Sequence, residues 1–476
     1  MPSKPINQLT WLTSFFIIVF SVLAVGALLT HFSAFHATVS STQQSFSPNT
    51  LLESKTSLSQ EGSLLTAFQK NKFGFFLFQL LAIFPVAHVL GRLMVRVGQP
   101  PVVGEILAGI CLGPSILGFL LPDVYEFIFP AKSLGPLRLM SQIGILIFMF
   151  IIGMEAKVGL VKNTAKKAFF ISQAGVVVPF ILTITLSNYL YGQYSPAGVS
   201  FNAFALFMGI SMSVTAFPVL AKIIEGQGLL GTPLGTLTLA SAAIGDVTAW
   251  AILAFIVAGI DANSKTNAFF MAGAIMVFLI SSFLVVKPLL QKLYDKFALR
   301  DSNQLTLTLV VIFFFSLCTE MMGIHALFGA FVAGFIMPKE DRFQVMLRER
   351  LEYFTSAFLL PIFFAIVGVR THIGLLNSFH DWAVCLLVLA VAIIGKWGGT
   401  YMASRYVGIE KRDALIMGSL MNSRGLMEVI IINLGYDLGI FSEKIFAIMM
   451  IMAIVTTFMT SPLVSIFMRK KTFNES

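Results

Sequence analysis

Charge is scarce in this 476-residue chain: Asp, Glu, Lys and Arg together make up 12% of it, about half the share usual in soluble proteins. Hydrophobic residues make up 57% and the mean hydropathy is +0.87, which excludes an ordinary soluble domain. Cysteine is nearly absent. Cys111, Cys318 and Cys385 lie in apolar stretches without metal-like spacing, so they read as packing residues. No HExxH, GxSxG or Mg-binding acidic pair occurs inside the apolar segments, which removes the usual hydrolytic chemistries. No cofactor is expected.

What is abundant is long apolar runs. Stretches of roughly 17 to 25 residues are long enough to cross a bilayer as helices. The first runs from Trp11 to Thr30. Thirteen more lie near 73 to 95, 101 to 121, 136 to 157, 166 to 189, 201 to 224, 231 to 259, 267 to 290, 303 to 320, 322 to 337, 353 to 369, 380 to 404, 411 to 435 and 441 to 468. The net charge of +9 would suit nucleic acid, but its distribution argues otherwise. Of the 32 basic residues, 22 fall in alternate loops and in the two ends of the chain, eight lie on the opposite side, and Lys396 and Arg424 are inside spans. By the positive-inside rule both termini are cytoplasmic, and no nucleic-acid partner is expected. Residues 1–72 read as a signal anchor, or a signal peptide, with an outer linker from about 31 to 70 rich in Ser, Thr and Gln. Residues 73–468 form the membrane domain and 469–476 a short cytoplasmic tail.

Three sequence pairs recur in the same order. IFMFIIGMEAKVGL (147 to 160) matches IFFAIVGVRTHIGL (362 to 375) at an offset of 215, and MGISMSVTAFPVL (208 to 220) matches MGSLMNSRGLMEV (417 to 429) at 209. AGICLG (108 to 113) sits beside GAFVAG (329 to 334). Seven spans separate the copies. An odd number makes them antiparallel across the bilayer: an inverted-topology repeat, which places a substrate site in discontinuous helices at the midplane. In the first copy Pro218 removes an N–H and predicts a break at Thr215, Ala216 and Phe217. In the second copy the aligned segment is Asn422, Ser423, Arg424 and Gly425, where Gly425 permits unusual backbone angles. The carbonyls of two such breaks, with the hydroxyls of Ser213, Thr215 and Ser423, are candidate ligands for a cation.

Asp246 is the sole charged residue between Gly226 and Ile260. An acid at mid-bilayer costs about 2.5 to 3.5 kcal/mol on insertion scales and marks a functional site. Lys396 lies well inside its own span, and one acid and one base in a core that excludes charge are expected near each other. Arg424 is read as capping the carbonyl end of a half-helix, or gating ions, and Glu428 stands at i,i+4 from it. Glu105, Glu155, Glu225 and Glu320 read as interface or pairing residues, and His325 as a hydrogen-bonded surface imidazole.

At QPPVVGEILAGICLGPSILG (99 to 118), SVTAFPVLAKI (213 to 223), AIGDVTAW (243 to 250), GIHALFGAFVAGFIMP (323 to 338), Lys396 and NSRGLMEV (422 to 429) the chain resembles the monovalent cation:proton antiporter-2 family. The resemblance implies an all-α polytopic membrane protein with a thirteen-helix inverted-repeat fold, crossed discontinuous helices and one extra N-terminal helix. It also implies a homodimer in lipid and an elevator-like movement of a transport domain. By match of motif Asp246 would carry the ion and the proton, Lys396 would be its charge partner, and Ser213, Thr215, Asn422 and Ser423 would lie at the crossing. Electrogenic members carry a second acid where this chain has Gly245, so one cation, sodium or potassium, exchanged for one proton is the expected cycle. Gating by a nucleotide-binding domain after the membrane part is not expected, because the sequence stops soon after Arg469. A passive cation channel of the same architecture is the alternative. A remote one is an intramembrane aspartyl protease, against which Ala243 replaces the first glycine of its GxGD element.

Overall fold

A computed structural model describes residues 71–155, 162–260, 265–297, 301–322, 325–338 and 341–469. The segment from Trp11 to Thr30 and its linker lie outside them. The principal helices are α1 (Lys72–Arg96), α2 (Pro101–Leu112), α3 (Leu134–Glu155), α4 (Lys162–Tyr194), α5 (Phe201–Ser211), α6 (Phe217–Gly226), α7 (Pro233–Ile260), α8 (Lys265–Ser281), α9 (Lys287–Phe297), α10 (Asp301–Met321), α11 (Ala326–Ile336), α12 (Leu360–Arg370), α13 (Phe379–Tyr406), α14 (Lys411–Met421), α15 (Leu426–Asp437) and α16 (Glu443–Arg469). A helix pairs its backbone N–H and C=O groups within one segment, as lipid requires where no water is at hand.

Ten of the described helices are long and apolar enough to cross a membrane, and the bent pair α14 and α15 makes eleven. Segment 201 to 224 divides into α5 and α6, as the expected break requires, and the described residues of segment 322 to 337 hold one short helix, α11; α5 and α11 have 11 residues each. At 1.5 Å per residue such a helix covers about half of a 30 Å hydrocarbon layer.

The chain divides into two compact units. One comprises residues up to Arg92, Gly104–Ser141 and Pro361–Thr371. Within it Gln79 of α1 donates to the Ile128 carbonyl at 2.9 Å and to Ser133 Oγ at 2.8 Å. Here α2 meets α12 through glycine: a Cβ at Gly109 would overlap the Phe364 carbonyl, and one at Gly368 would overlap the Gly109 carbonyl. Only the missing side chains let these backbones approach, the small-residue packing that lipid favours.

The other unit comprises Leu93–Val103, Gln142–Leu360 and His372–Ser476. In it α11 meets α3 in the same manner, with Gly334 against the Phe150 carbonyl and Gly153 against that of Phe331. The repeat aligns α2 with α11 and α12 with α3. The contact of α2 with α12 therefore has its counterpart in that of α11 with α3. In this unit α4 also packs against α5, α7 and α13.

Candidate functional site

Two helix breaks lie against each other in the second unit. The first covers Met212–Ala216, between α5 and α6; the second covers Asn422–Gly425, between α14 and α15, whose axes bend by 43°. The Ala216 N–H donates to the Ser423 carbonyl at 3.3 Å, and Thr215 Oγ1 donates to the Met421 carbonyl at 3.1 Å. The first break starts upstream of the expected position and takes in the expected Thr215 and Ala216, ending directly before Phe217 and Pro218. Pro218 occupies the first turn of α6, where a missing N–H costs nothing because that N–H has no intrahelical partner.

Gly425 also departs from expectation. Its φ of 161° is extended backbone, so conformational freedom is not its role. Packing is: a Cβ there would stand 2.7 Å from Val219 Cγ2 and 3.5 Å from Ala216 Cβ. Gly425→Ala is expected to push the breaks apart and lower stability by about 1 to 3 kcal/mol. The loss of melting temperature in detergent measures it, and Val219→Ala in the same chain should restore part of it.

Two buried cations occupy the carbonyl end of α5. The Lys396 ammonium, 1% exposed, donates to the Ser213 carbonyl. Arg424 Nη2 donates to the Met212 carbonyl at 2.8 Å while Nη1 holds Glu428 Oε1 at 2.7 Å, with both side chains fully buried. Cations here offset the partial negative charge that gathers at a helix C-terminus. Lys396 reaches this position from a π-helical turn, Ile394–Gly398. The glycines around it seat α13 on α4, since Gly395 lies against Pro179 and Gly399 against Val178.

Asp246, in the middle of α7, is 3% exposed, and neither carboxylate oxygen has a hydrogen-bond partner of ordinary geometry. The polar groups that face it are the Lys396 ammonium and the N–H of Phe217, the first residue of α6. No ion pair joins Asp246 to Lys396; the ammonium is held on Ser213 instead. Pairing between adjacent helices, inferred from chain order, overlooked the carbonyls freed by the break, which compete for the same cation.

The candidate ligands divide. Ser213 Oγ donates to the Gly209 carbonyl at 2.6 Å and Thr215 Oγ1 to Met421, so each hydroxyl spends its proton on the backbone and keeps its oxygen lone pairs. Asn422 Oδ1 and Ser423 Oγ are buried without a partner, and such groups are costly unless something completes them. Sequence reasoning missed Thr457 of α16, whose Oγ1 accepts from the Arg424 N–H at 3.2 Å and donates to the Arg424 carbonyl at 2.7 Å. A threonine in an apolar helix is too common to single out. His325 is not a surface imidazole but a half-buried N-cap of α11, accepting from the Leu327 N–H at 3.4 Å.

A bent helix pair thus lies against a second broken helix, with Asp246 and the Arg424–Glu428 pair buried beside the breaks. Residues 80–470 match the model of the sodium/hydrogen exchanger transmembrane family. The chain belongs to that family. It is a secondary transporter and not an enzyme, which closes the protease reading. A Na(+)/H(+) antiporter of Synechocystis, NhaS4, is 43% identical over 394 residues, or 81% of this chain and 95% of that one. Cation/H(+) antiporter 17 of Arabidopsis thaliana is 38% identical and K(+)/H(+) antiporter 1 of Saccharomyces cerevisiae 32%. Their matches cover 81% and 82% of this exchanger but only 47% and 46% of those longer proteins. In fold it is similar to the sodium proton antiporter MjNhaP1 of Methanocaldococcus jannaschii, with a TM-score of 0.57 at 13% identity over 81% of this chain and 94% of that one.

Proposed function

We propose that the exchanger moves a monovalent cation, sodium or potassium, against protons, and that Asp246 holds either one but never both. The observation that carries this reading is the buried, unpartnered carboxylate of Asp246 beside two crossed helix breaks. A desolvated carboxylate must be neutralised by a proton or a cation, and competition for one group couples the two fluxes. Asn422 Oδ1 and Ser423 Oγ would complete the cation's shell. Lys396 and Arg424 hold the carbonyl end of α5 and set the positive field around the site.

With Gly245 in place of a second acid, one cation exchanges for one proton and the cycle is electroneutral. The bias of basic residues supports cytoplasmic termini if the first helix is retained, and the family resemblance supports a homodimer in lipid, for which a bacterial inner membrane is the proposed location. The test follows proton movement in everted vesicles on addition of sodium, lithium, potassium or rubidium, with and without a clamp on the membrane potential. Sodium or potassium should discharge the pH gradient at a rate the clamp leaves unchanged. A rate that follows the potential would overturn the one-for-one cycle, and flux indifferent to the proton gradient would favour a channel.

A further inference from the structure

Away from the crossing, the second unit contains a cavity of about 150 Å³. Its polar lining is Gln142, Glu320, His325, Asn433 and Asp437. These come from α3, the end of α10, the start of α11 and the end of α15. Glu320 caps α11 through the Ala326 N–H at 2.7 Å, and Asn433 donates to Asp437 Oδ2 at 2.9 Å. Among the described residues no Lys or Arg lines the cavity and His325 is its one imidazole, so the carboxylates of Glu320 and Asp437 dominate its field, and a low-dielectric cleft with an excess of one sign concentrates counter-ions.

At His325, Leu327 and Leu434 this cavity adjoins a second, lined further by Trp250, Leu253, Val257 and Phe328, with only about 10 Å³ of free space. That is about the room one water needs by the same measure. Trp250 follows Asp246 by one helical turn, so both lie on one face of α7. It is 2% exposed, stacks on Phe331 of α11 with ring centroids 6.3 Å apart, and its indole N–H is without a partner. The acidic cavity thus adjoins a constriction lined by Trp250, Leu253 and Val257 of α7, and Asp246 lies one turn before Trp250 on the same helix.

Building on Asp246 as carrier, we propose that the Glu320 and Asp437 cavity is the outer mouth through which cations and protons reach it, and that Trp250 is the gate between them. The mouth gathers hydrated monovalent cations without base-like selectivity. The constriction admits water singly, and the indole face favours a cation that has shed its shell. Rotation of Trp250 off Phe331 opens the way. The outer assignment follows from the loops poor in basic residues at this end of α7, α10 and α15.

The test is side-specific labelling of single cysteines in a chain whose Cys111, Cys318 and Cys385 are replaced by Ser, using a membrane-impermeant cationic thiosulfonate. Leu434→Cys should react from the outer face and not from the inner one. Ala254→Cys, deeper in the constriction, should react slowly, and Trp250→Ala should accelerate it at least about tenfold, a decade for each 1.36 kcal/mol of barrier removed. Trp250→Phe, which keeps the stack, should leave it slow and controls for a folding defect. In transport, Asp437→Asn should raise the cation KM at the outer face several-fold at low ionic strength and leave the inner KM unchanged. Reaction of Leu434→Cys from the inner face alone, or an Ala254→Cys rate blind to Trp250→Ala, overturns the proposal. Labelling reads the cavities and not the carrier, so it runs unchanged in Asp246→Asn, and failure of the carrier assignment is seen separately.

Discussion

Asp246→Asn abolishes cation-dependent proton movement in everted vesicles while the protein still folds. The amide has the shape of the carboxyl but neither releases a proton nor balances a cation's charge, so both half-cycles stop together. The loss should be complete, because no second acid stands beside it at Gly245. Folding is spared for a structural reason. Asp246 makes no ion pair, so removing its charge relieves desolvation, and the Lys396 ammonium that faced it keeps its own hydrogen bond. Lys396 stays on the Ser213 carbonyl and Arg424 on Met212. The melting temperature of Asp246→Asn in detergent should equal or exceed that of the parent. In the parent, protons and cations compete for Asp246, so the apparent KM for the cation should rise as pH falls. Normal exchange by Asp246→Asn would remove the acid from the mechanism; a collapse in its melting temperature would show that the carboxylate holds the fold.

Gly368→Ala should act on the fold and not on the chemistry. The added Cβ would overlap the backbone carbonyl of Gly109 on the facing helix, and backbone cannot turn aside as a side chain can. Helices α2 and α12 must then separate along their length, which forfeits dispersion contacts in a close-packed interface. A cost of at least about 3 kcal/mol is expected, at or beyond the upper end of overpacking. Gly109→Ala should cost as much, and Gly153→Ala should do the same at the matching contact of α3 with α11. Gly273, with nothing within 4 Å of a Cβ, is the control: Gly273→Ala should be neutral or stabilise by up to about 1 kcal/mol. Thermal melts in detergent rank the four. Equal melting temperatures for Gly368→Ala and Gly273→Ala would refute the close contact.

The repeat was legible because its glycines keep their spacing: Gly153 and Gly368 sit at equivalent positions and make equivalent contacts. The break before Pro218 was legible only roughly. Proline restricts where a helix can start as well as where it must stop, and the sequence does not say which of the two it does. Glycine is ambiguous in the same way. Gly425 serves close approach to Val219, yet the residue type equally permits a left-handed turn.

The class of protein, most of its apolar segments, the isolated acid Asp246 and the family were written in the sequence. Hydropathy, charge and motif are properties of short stretches and add along the chain. The partners of the buried charges were not. Whether Lys396 meets Asp246 or the Ser213 carbonyl depends on how α13 is rotated and seated on α4, and Trp250 and Thr457 acquire roles only through helices distant in sequence. Those are relations among helix axes and faces, set by the packing of Gly395 and Gly399 against Pro179 and Val178, and only the tertiary structure decided them.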